Sequence, residues 1–338
     1  MQEIDLTKSK DVIGAYNSID FSYERKNYTD YGTQYCFNVL DGKIVAGYNI
    51  QLACFRHLRD LQRQGDSDFP YVYSVDAFNR FLKFLSLVPN VDDLSQKLEP
   101  MDWQYFIFAQ LFAWFDLDDV PRFSNIIISI ARSQGKTMIA GICLNFSYLI
   151  EIIGQSNQDF LVSSLNFDQT MKLFTYVKSM MARIIENEPF KSLAEETQLQ
   201  LYSREIKSLV DANTIHTISF ESGKFDGKHF KLAVADEVGE LRTDEGISKI
   251  TSGQVNTEGS RFIEISTSYQ TPDVPFHQEQ KKLIEIMERD FDRSGDDQLC
   301  LIWSQDNLEE VFKPETWPKS NPLLNHPKLC LLYTSDAA

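Results

Sequence analysis

The sequence of 338 residues lacks the features that identify membrane, secreted and zinc-binding proteins. No apolar run approaches the roughly 18 residues that a membrane-spanning helix needs. The N-terminal residues show no basic segment followed by an apolar one, so we expect no signal peptide. The five cysteines form no Cys-x-x-Cys pair, and neither they nor the five histidines have zinc-ligand spacing. These absences predict a cytosolic protein with reduced, mostly buried cysteines.

A basic excess is also missing from the chain. The formal net charge is −16, which argues against a protein that coats nucleic acid by general electrostatic attraction. Arg56, Arg59 and Arg63 concentrate positive charge on one predicted helix, and we expect them to form a solvated helix face. With 43% hydrophobic and 24% charged residues, the chain has the composition of a soluble globular protein with at least one large core.

Residues 96–305 alternate between runs typical of strands and runs typical of helices. The strand-like runs are 125–131, 159–164, 214–220, 230–235, 261–267 and 298–303. The helix-like runs are 136–152, 168–186, 243–251 and 277–289. This alternation predicts an α/β fold, in which a mostly parallel sheet is flanked by helices. A β-hairpin insertion is predicted within 198–220.

The regions on either side of this alternation differ from it. Residues 1–95 combine aromatic residues with helical periodicity, which predicts an N-terminal accessory helical region. Prolines punctuate residues 306–329, which we interpret as a linker. Residues 330–338 (CLLYTSDAA) resemble neither the end of a domain nor a natural tail. We expect them to be translated from a sequencing adapter fused to an interrupted gene, and codons unlike the adapter would refute this.

The stretch ARSQGKT (131–137) joins a strand-like run to a helix-like run and contains part of a phosphate-binding loop. In the pattern G-x-x-x-x-G-K-[ST], backbone N–H groups surround the phosphates, the lysine reaches the β- and γ-phosphates, and the hydroxyl binds Mg²⁺. Gly135, Lys136 and Thr137 fill the last three positions, whereas Ile130 replaces the first glycine. Alone, the stretch also fits a plain strand-to-helix turn.

Two adjacent acids follow a buried strand-like run about a hundred residues further on. Asp236 and Glu237 end the segment FKLAVADE, and two buried carboxylates without a partner would repel each other. A magnesium ion and an attacking water would give each acid a role. Asp236 would hold Mg²⁺ and Glu237 would polarise the water that attacks a γ-phosphate. The alternative is a surface turn after a strand.

Two weaker signals extend this pattern. Ser266, Thr267 and Ser268 end another strand-like run, where hydroxyl groups can report whether a γ-phosphate is present. Gln104 lies about 30 residues before the phosphate loop, and its amide can both donate to and accept from an adenine edge. Each signal has a structural alternative, namely a common strand end and a glutamine on a helix face. Their order along the chain is more specific than any one of them.

In this order, the motifs resemble those of the large terminase subunit of tailed bacteriophages, and the resemblance extends to about Pro322. The phosphate loop of that family often lacks the first glycine and contains an arginine. The resemblance implies a RecA-like P-loop fold of the ASCE class, with ATP and Mg²⁺ as cofactors. It implies nucleotide contacts from Gln104, Arg132, Ser133, Gln134, Gly135, Lys136, Thr137 and Asp236. It implies catalysis by Glu237, Lys136 and Arg132, metal binding by Thr137 and Asp236, and coupling of hydrolysis to motion by Ser266, Thr267 and Ser268.

The resemblance also implies a function, that of an ATP-hydrolysing motor that moves double-stranded DNA into a capsid in the host cytoplasm. Its implied partners are the portal protein, the small terminase subunit and further copies in a ring. Gly239 stands where the family often has histidine, so no role is assigned there. The family's nuclease domain is expected to be absent. The arginine that stabilises the transferred phosphate is either Arg132 or, from a neighbouring subunit, Arg242.

Two other functions remain open at the level of sequence. A helicase-like translocase would share the sheet and the acid pair, but it would need a second RecA-like domain, and none is predicted after residue 305. A capsid or assembly protein without enzymatic activity would bind nucleotide only structurally or not at all. The absence of ATP-dependent thermal stabilisation in the presence of Mg²⁺ would favour this last alternative.

Overall fold

A central β-sheet organises the chain in the computed structural model, which describes residues 2–90, 93, 96–268, 271 and 273–325. Its strands are β3 (Asn125–Ser129), β4 (Asp159–Ser163), β5 (Leu199–Leu201), β6 (Glu205–Ser208), β7 (Thr214–Thr217), β8 (Phe230–Asp236), β9 (Arg261–Ser266) and β10 (Gln298–Ile302). A separate antiparallel pair consists of β1 (Tyr71–Tyr73) and β2 (Trp114–Asp116).

The order of strands across the main sheet is β10-β3-β9-β8-β4-β7-β6-β5. Neighbouring strands from β10 to β7 are parallel, and the last two pairings are antiparallel. The parallel strands are rich in Ile, Leu and Val because helices cover both faces, so side chains of both faces are buried. The predicted α/β fold with a mostly parallel sheet is confirmed.

Eleven α-helices within the described residues surround or extend the sheet. They are α1 (Val12–Asn17), α2 (Ser22–Asn27), α3 (Tyr31–Leu40), α4 (Tyr48–Arg63), α5 (Val75–Leu85), α6 (Asp102–Ala113), α7 (Lys136–Phe146), α8 (Phe167–Ile184), α9 (Phe190–Glu196), α10 (Glu245–Gln254) and α11 (Pro275–Glu288). The apolar stripe of α8 is buried, and this helix packs on α7. The first turn of α5 is capped by Ser74, whose hydroxyl accepts from the N–H of Ala77.

The predicted elements correspond closely to the observed ones. All six predicted strands are present, and β5 and β6 form the antiparallel hairpin expected within 198–220. The helix predicted over 136–152 differs, because α7 ends at Phe146 and a π-helical turn follows over Ser147–Glu151. Two residues of that turn contact Arg261 of β9. The guanidinium group of Arg261 donates to Ser147 Oγ over 2.8 Å and pairs with Glu151.

The prediction that the basic residues of α4 form a solvated face is wrong. Arg59 and Arg63 are 2% and 7% exposed, and both pair with Asp290, which lies more than 200 residues further along the chain. Arg56 donates to the backbone carbonyl groups of Gln298 and Gly295 over 2.9 and 2.7 Å. The basic residues of α4 therefore fasten this helix to the segment that leads into β10.

Arg122 completes this buried ion network. Its guanidinium group lies 2.9 Å from Asp60 and is surrounded by the aromatic rings of Phe69, Tyr71, Trp114 and Phe123. Burial alone would raise the pKa of Asp60, but the guanidinium groups of Arg122, Arg56 and Arg63 lower it to about 2. Each charge in the network depends on the others, because a single buried ion without a partner is very unfavourable.

The segment after β10 turns back toward the phosphate loop. Short 3-10 turns cover Leu308–Phe312, Pro314–Lys319 and Pro322–Asn325. Lys319 lies 2.7 Å from Asp306 and 2.5 Å from Glu310, and the N–H of Leu323 donates to Gln134 Oε1 over 3.0 Å. The division into residues 1–95, 96–305, 306–329 and 330–338 stays a prediction. The suspected adapter-derived tail and Cys330 lie outside the described residues.

The four cysteines in the described part of the chain are free and buried. None of the helices that the structure describes is long and apolar enough to cross a membrane.

Replacing Asp60 by alanine leaves Arg122 and Arg63 without their shared buried carboxylate. We expect this variant to lose about 3–5 kcal/mol of unfolding free energy, measured by urea denaturation. The matched control is Glu186→Ala, which breaks an exposed pair with Arg183 and is expected to change stability by less than about 1 kcal/mol. Equal stabilities of the two variants would contradict the assignment.

The contribution of Asp60 also depends on pH. Its usual pKa of 3.8 applies in the unfolded chain, and its folded-state pKa is about 2. The stabilisation is therefore fully present above pH 3.8 and is lost as the pH falls through 2. Denaturation curves of the parent chain and of Asp60→Ala are expected to converge over that interval and to remain separate above it.

Candidate nucleotide-binding site

The loop between β3 and α7 has the shape of a phosphate cradle. Its backbone is left-handed at Ser133 and Gly135, where φ is 60° and 80°. Glycine adopts this conformation freely, whereas serine does so at a cost of about 1–2 kcal/mol. Strain of this kind persists at sites where the surrounding structure enforces it. The loop leads directly into the N-terminus of α7, whose first residue is Lys136, and such a terminus attracts anions.

The missing first glycine is explained by the position of Ile130. Its N–H donates to the carbonyl oxygen of Ser266 over 3.0 Å, and its side chain is 1% exposed. Ile130 therefore continues the pairing of β3 with β9 and fills the core. The sharp reversal of the backbone occurs only afterwards, at Ser133 and Gly135.

Lys136 lies inside the loop and is 7% exposed. Its ammonium group lies 3.5 Å from the carbonyl oxygen of Ile130 and 3.3 Å from that of Ala131. Burial lowers the pKa of Lys136, and the nearby carboxylates of Glu237 and Asp236 oppose this only in part. An anion held by the loop would favour the charged form of the lysine.

Asp236 and Glu237 lie at the end of β8, facing the lysine. Burial and then the neighbouring charge of Glu237 raise the pKa of Asp236 to about 6, although Lys136 and Lys172 act in the opposite direction. Glu237 has a left-handed backbone with φ of 60°, and its N–H donates to Ile265 O over 2.8 Å. Because a buried carboxyl group of raised pKa gains most from a nearby cation, this pair fits a divalent metal such as Mg²⁺.

The end of β9 is hydrogen-bonded to the acidic turn. Ser266 Oγ accepts from the N–H of Gly239 over 2.9 Å and donates to Thr267 O over 3.0 Å. Thr267 Oγ1 donates to Glu237 Oε2 over 3.4 Å. The hydroxyl of Ser268 instead lies 3.4 Å from that of Ser129, at the end of β3. The three residues predicted to couple hydrolysis to motion thus contact both the acidic turn and the strand that precedes the phosphate loop.

The two glutamines of the site already have hydrogen-bonding partners. Gln104 Oε1 accepts from the N–H of Met101 over 2.9 Å, and its Nε2 lies 3.6 Å from where a Cβ on Gly135 would stand. Gln134 is 4% exposed and accepts from Leu323. Gln104 therefore lies against the phosphate loop with its amide nitrogen, and an adenine contact from it stays a prediction.

The remaining residues of the predicted site are exposed or half-buried. Arg132 and Ser133 are exposed, and Thr137 is half-buried in the first turn of α7. Arg242 is exposed and follows the acidic turn. A cavity of about 450 Å³ adjoins the loop, and its lining includes Arg132, Thr267, Ser268, Trp303 and Ser320. Space for a ligand is therefore available beside the loop.

Sequence reasoning missed Ser164 and Lys172. Ser164 Oγ donates to the carbonyl oxygen of Asp236 over 3.1 Å, and the N–H of Ser164 donates to Thr170 Oγ1. The signal was present, because the predicted strand 159–164 ends in two serines. Parallel strands end at the same edge of a sheet, so these serines belong beside the acid pair.

Comparison with known proteins finds one matching family and solved structures of similar fold. The family model described as the terminase large subunit, ATPase domain, matches residues 102–283. The structure is similar to that of the HK97 bacteriophage large terminase, with a TM-score of 0.59 and 19% sequence identity. That alignment covers 73% of this chain and 48% of the other, so the chain spans about half the length of that protein. The ATPase domain of the Thermus phage P74-26 large terminase aligns with a TM-score of 0.41 and 13% identity, over 59% of this chain and 71% of that one. No curated protein sequence matches the chain.

The hydrogen bond between Ser266 and Gly239 can be tested by stability measurements. We expect Ser266→Ala to lose about 1–3 kcal/mol of unfolding free energy, because the buried N–H of Gly239 then has no acceptor. Ser268→Ala removes an exposed hydroxyl from the same segment and is expected to stay within about 0.5 kcal/mol of the parent chain. Urea denaturation of both variants measures the difference, and a loss of similar size in both would contradict it.

Proposed function

Since the chain belongs to the family of terminase large-subunit ATPase domains, we propose that it hydrolyses ATP to drive double-stranded DNA into a phage capsid. The observation that carries this proposal is the meeting of three strand ends at one edge of the sheet. The phosphate loop follows β3, the acid pair ends β8, and the hydroxyl-bearing segment ends β9, which lies between them. A nucleotide in the loop would contact all three.

Lys136 and the backbone N–H groups of residues 133–137 would bind the phosphates. Thr137 and Asp236 would hold Mg²⁺, which when bound neutralises charge on the phosphate oxygens. Glu237 would accept a proton from the attacking water, and its contact with Thr267 orients its carboxylate. Ser266 and Thr267 would respond to loss of the γ-phosphate, because they hold the turn that carries Glu237.

We assign the arginine that stabilises the transferred phosphate to Arg132 of the same chain. Arg132 belongs to the phosphate loop, and its charge is near enough to Lys136 to lower the pKa of that lysine. Arg242 follows the acidic turn and is exposed, which suits a contact with another subunit. Arg242 would then act in contacts between subunits and not in stabilising the transferred phosphate.

The cellular setting follows from the family. DNA, the portal protein, the small terminase subunit and further copies of this chain in a ring would be its partners in the host cytoplasm. A helicase-like translocase is less well supported, because the family match covers the segment that contains all three motifs.

Two substitutions test the assigned chemistry. Lys136→Ala should lower the rate of ATP hydrolysis by about a hundredfold or more, because a charge that stabilises the transition state is lost. Glu237→Gln should lower it by about 10²–10⁴-fold while nucleotide binding persists, because only the base is removed. Rates are measured by phosphate release, and binding by thermal shift with ATP and Mg²⁺. Lys281→Ala, an exposed change on α11, is the control.

Retained hydrolysis in Lys136→Ala would remove this lysine from its role. No thermal shift of the parent chain with ATP and Mg²⁺ would instead favour a non-enzymatic assembly protein.

The assignment of Arg132 is tested by mixing variants. Arg132→Ala should remain inactive when mixed with Lys136→Ala, because each chain then lacks a group that its own nucleotide needs. If Arg132 acted on a neighbouring subunit, mixed rings would contain sites with both groups intact. Recovery of phosphate release on mixing would therefore contradict action within one chain.

A further inference from the structure

A second cavity lies away from the phosphate loop, between the sheet and the helices α10 and α11. Its volume is about 300 Å³, which is at the lower end of the range for small-molecule sites. Its walls combine polar and apolar side chains, and the apolar part comprises Ile127 of β3, Phe262 of β9, Ile247 of α10, and Phe276 and Leu283 of α11. Side chains of this kind favour a ligand with an apolar body.

Glu264 lines this cavity from the side of the β-sheet. It lies in the middle of β9, an interior strand of the sheet, so its partial exposure is to the cavity that it lines. Among the described residues, no hydrogen bond or ion pair to its carboxyl group is present. Burial raises the pKa of Glu264 to about 8, and Glu279 contributes in the same direction. The ionised form of a carboxyl group in such surroundings is unfavourable unless a cation compensates its charge.

The other charged groups around the cavity are also mainly acidic. Glu279 of α11 and Asp244, the residue just before α10, line it, whereas the residue contributed by the start of β3, Asn125, is neutral. Lys282 approaches Glu279 to 3.3 Å from the exposed side of α11. The carboxyl group of Glu264 on the sheet and that of Glu279 on a helix, whose side chain is 41% exposed, line the same cavity. Two carboxyl groups beside apolar side chains are complementary to a molecule with two positive ends.

A metal ion fits this cavity poorly. The described part of the chain contains no group of three or more His, Cys, Asp or Glu side chains placed to hold a metal. Calcium and magnesium need about six oxygen ligands gathered around one point. An alkylammonium ion requires only one or two carboxylates, and its carbon chain gains from contact with apolar side chains.

We propose that this cavity binds a small aliphatic diamine, with one ammonium group on Glu264 and the other on Glu279. The aliphatic chain lies between Phe262, Ile247 and Leu283. The site is separate from the nucleotide site, so this proposal does not depend on ATP hydrolysis.

Calorimetric titration with diaminobutane tests the proposal on the full chain. Binding to the parent chain is expected, and Glu264→Gln should weaken it by about tenfold or more because a buried charge partner is lost. Glu285→Gln changes an exposed acid on the same helix, outside the cavity, and should leave the affinity unchanged. Butylamine, with a single ammonium group, should bind more weakly than the diamine.

The affinity should also rise between one pH unit below and one unit above the Glu264 pKa of about 8. Over that range the carboxyl group ionises, while an alkylammonium group with a pKa of about 10.4 keeps its proton. This pH dependence should vanish in Glu264→Gln. A cooperative thermal unfolding transition near that of the parent chain, measured without nucleotide, shows that each variant is folded. The proposal is overturned if the parent chain does not bind diaminobutane, or if Glu264→Gln and Glu285→Gln bind it equally.

Discussion

The hydrogen-bond ladder that places β9 between β3 and β8 determines where every candidate catalytic group lies. The ladder continues past the strand ends, since the N–H of Ile130 donates to Ser266 and the N–H of Glu237 donates to Ile265. The phosphate loop and the acidic turn are therefore attached to the same strand from opposite sides. A shift at the end of β9 would move both, and under the proposed function this would link phosphate release to movement.

Two groups at the phosphate-loop edge of the sheet, Lys136 and Asp236, lie in surroundings that disfavour their charged forms. Lys136 contacts carbonyl oxygens of its own loop, and Asp236 has a pKa raised by burial and by Glu237. Neither group is in the environment that its charged form prefers. A magnesium nucleotide would supply an anion for the lysine and a cation for the aspartate together. The unfavourable electrostatics of the site and its affinity for nucleotide thus have the same origin.

Much of the fold could be predicted from sequence, because buried parallel strands and amphipathic helices leave strong local patterns. The predictions were wrong where contacts with residues distant in sequence determine the local structure. The face of α4 is buried because Asp290, far along the chain, pairs with Arg59 and Arg63. The helix α7 gives way to a π-helical turn at Ser147, where the side chain of Arg261 donates a hydrogen bond to Ser147 Oγ. Similarly, the contact between Gln134 and Leu323 joins segments nearly 200 residues apart, and no local pattern indicates it.

The isoleucine in place of the first loop glycine is consistent with these constraints. A glycine is needed where the backbone must be left-handed, and here that need arises at Ser133 and Gly135 rather than at residue 130. Ile130 remains extended enough to pair with β9 and to bury its side chain. A glycine there would weaken the attachment of the loop to β9, since it contributes no side chain to the core and is more flexible when unfolded. Isoleucine at this position therefore strengthens the attachment of the phosphate loop to β9, while the left-handed backbone is confined to Ser133 and Gly135.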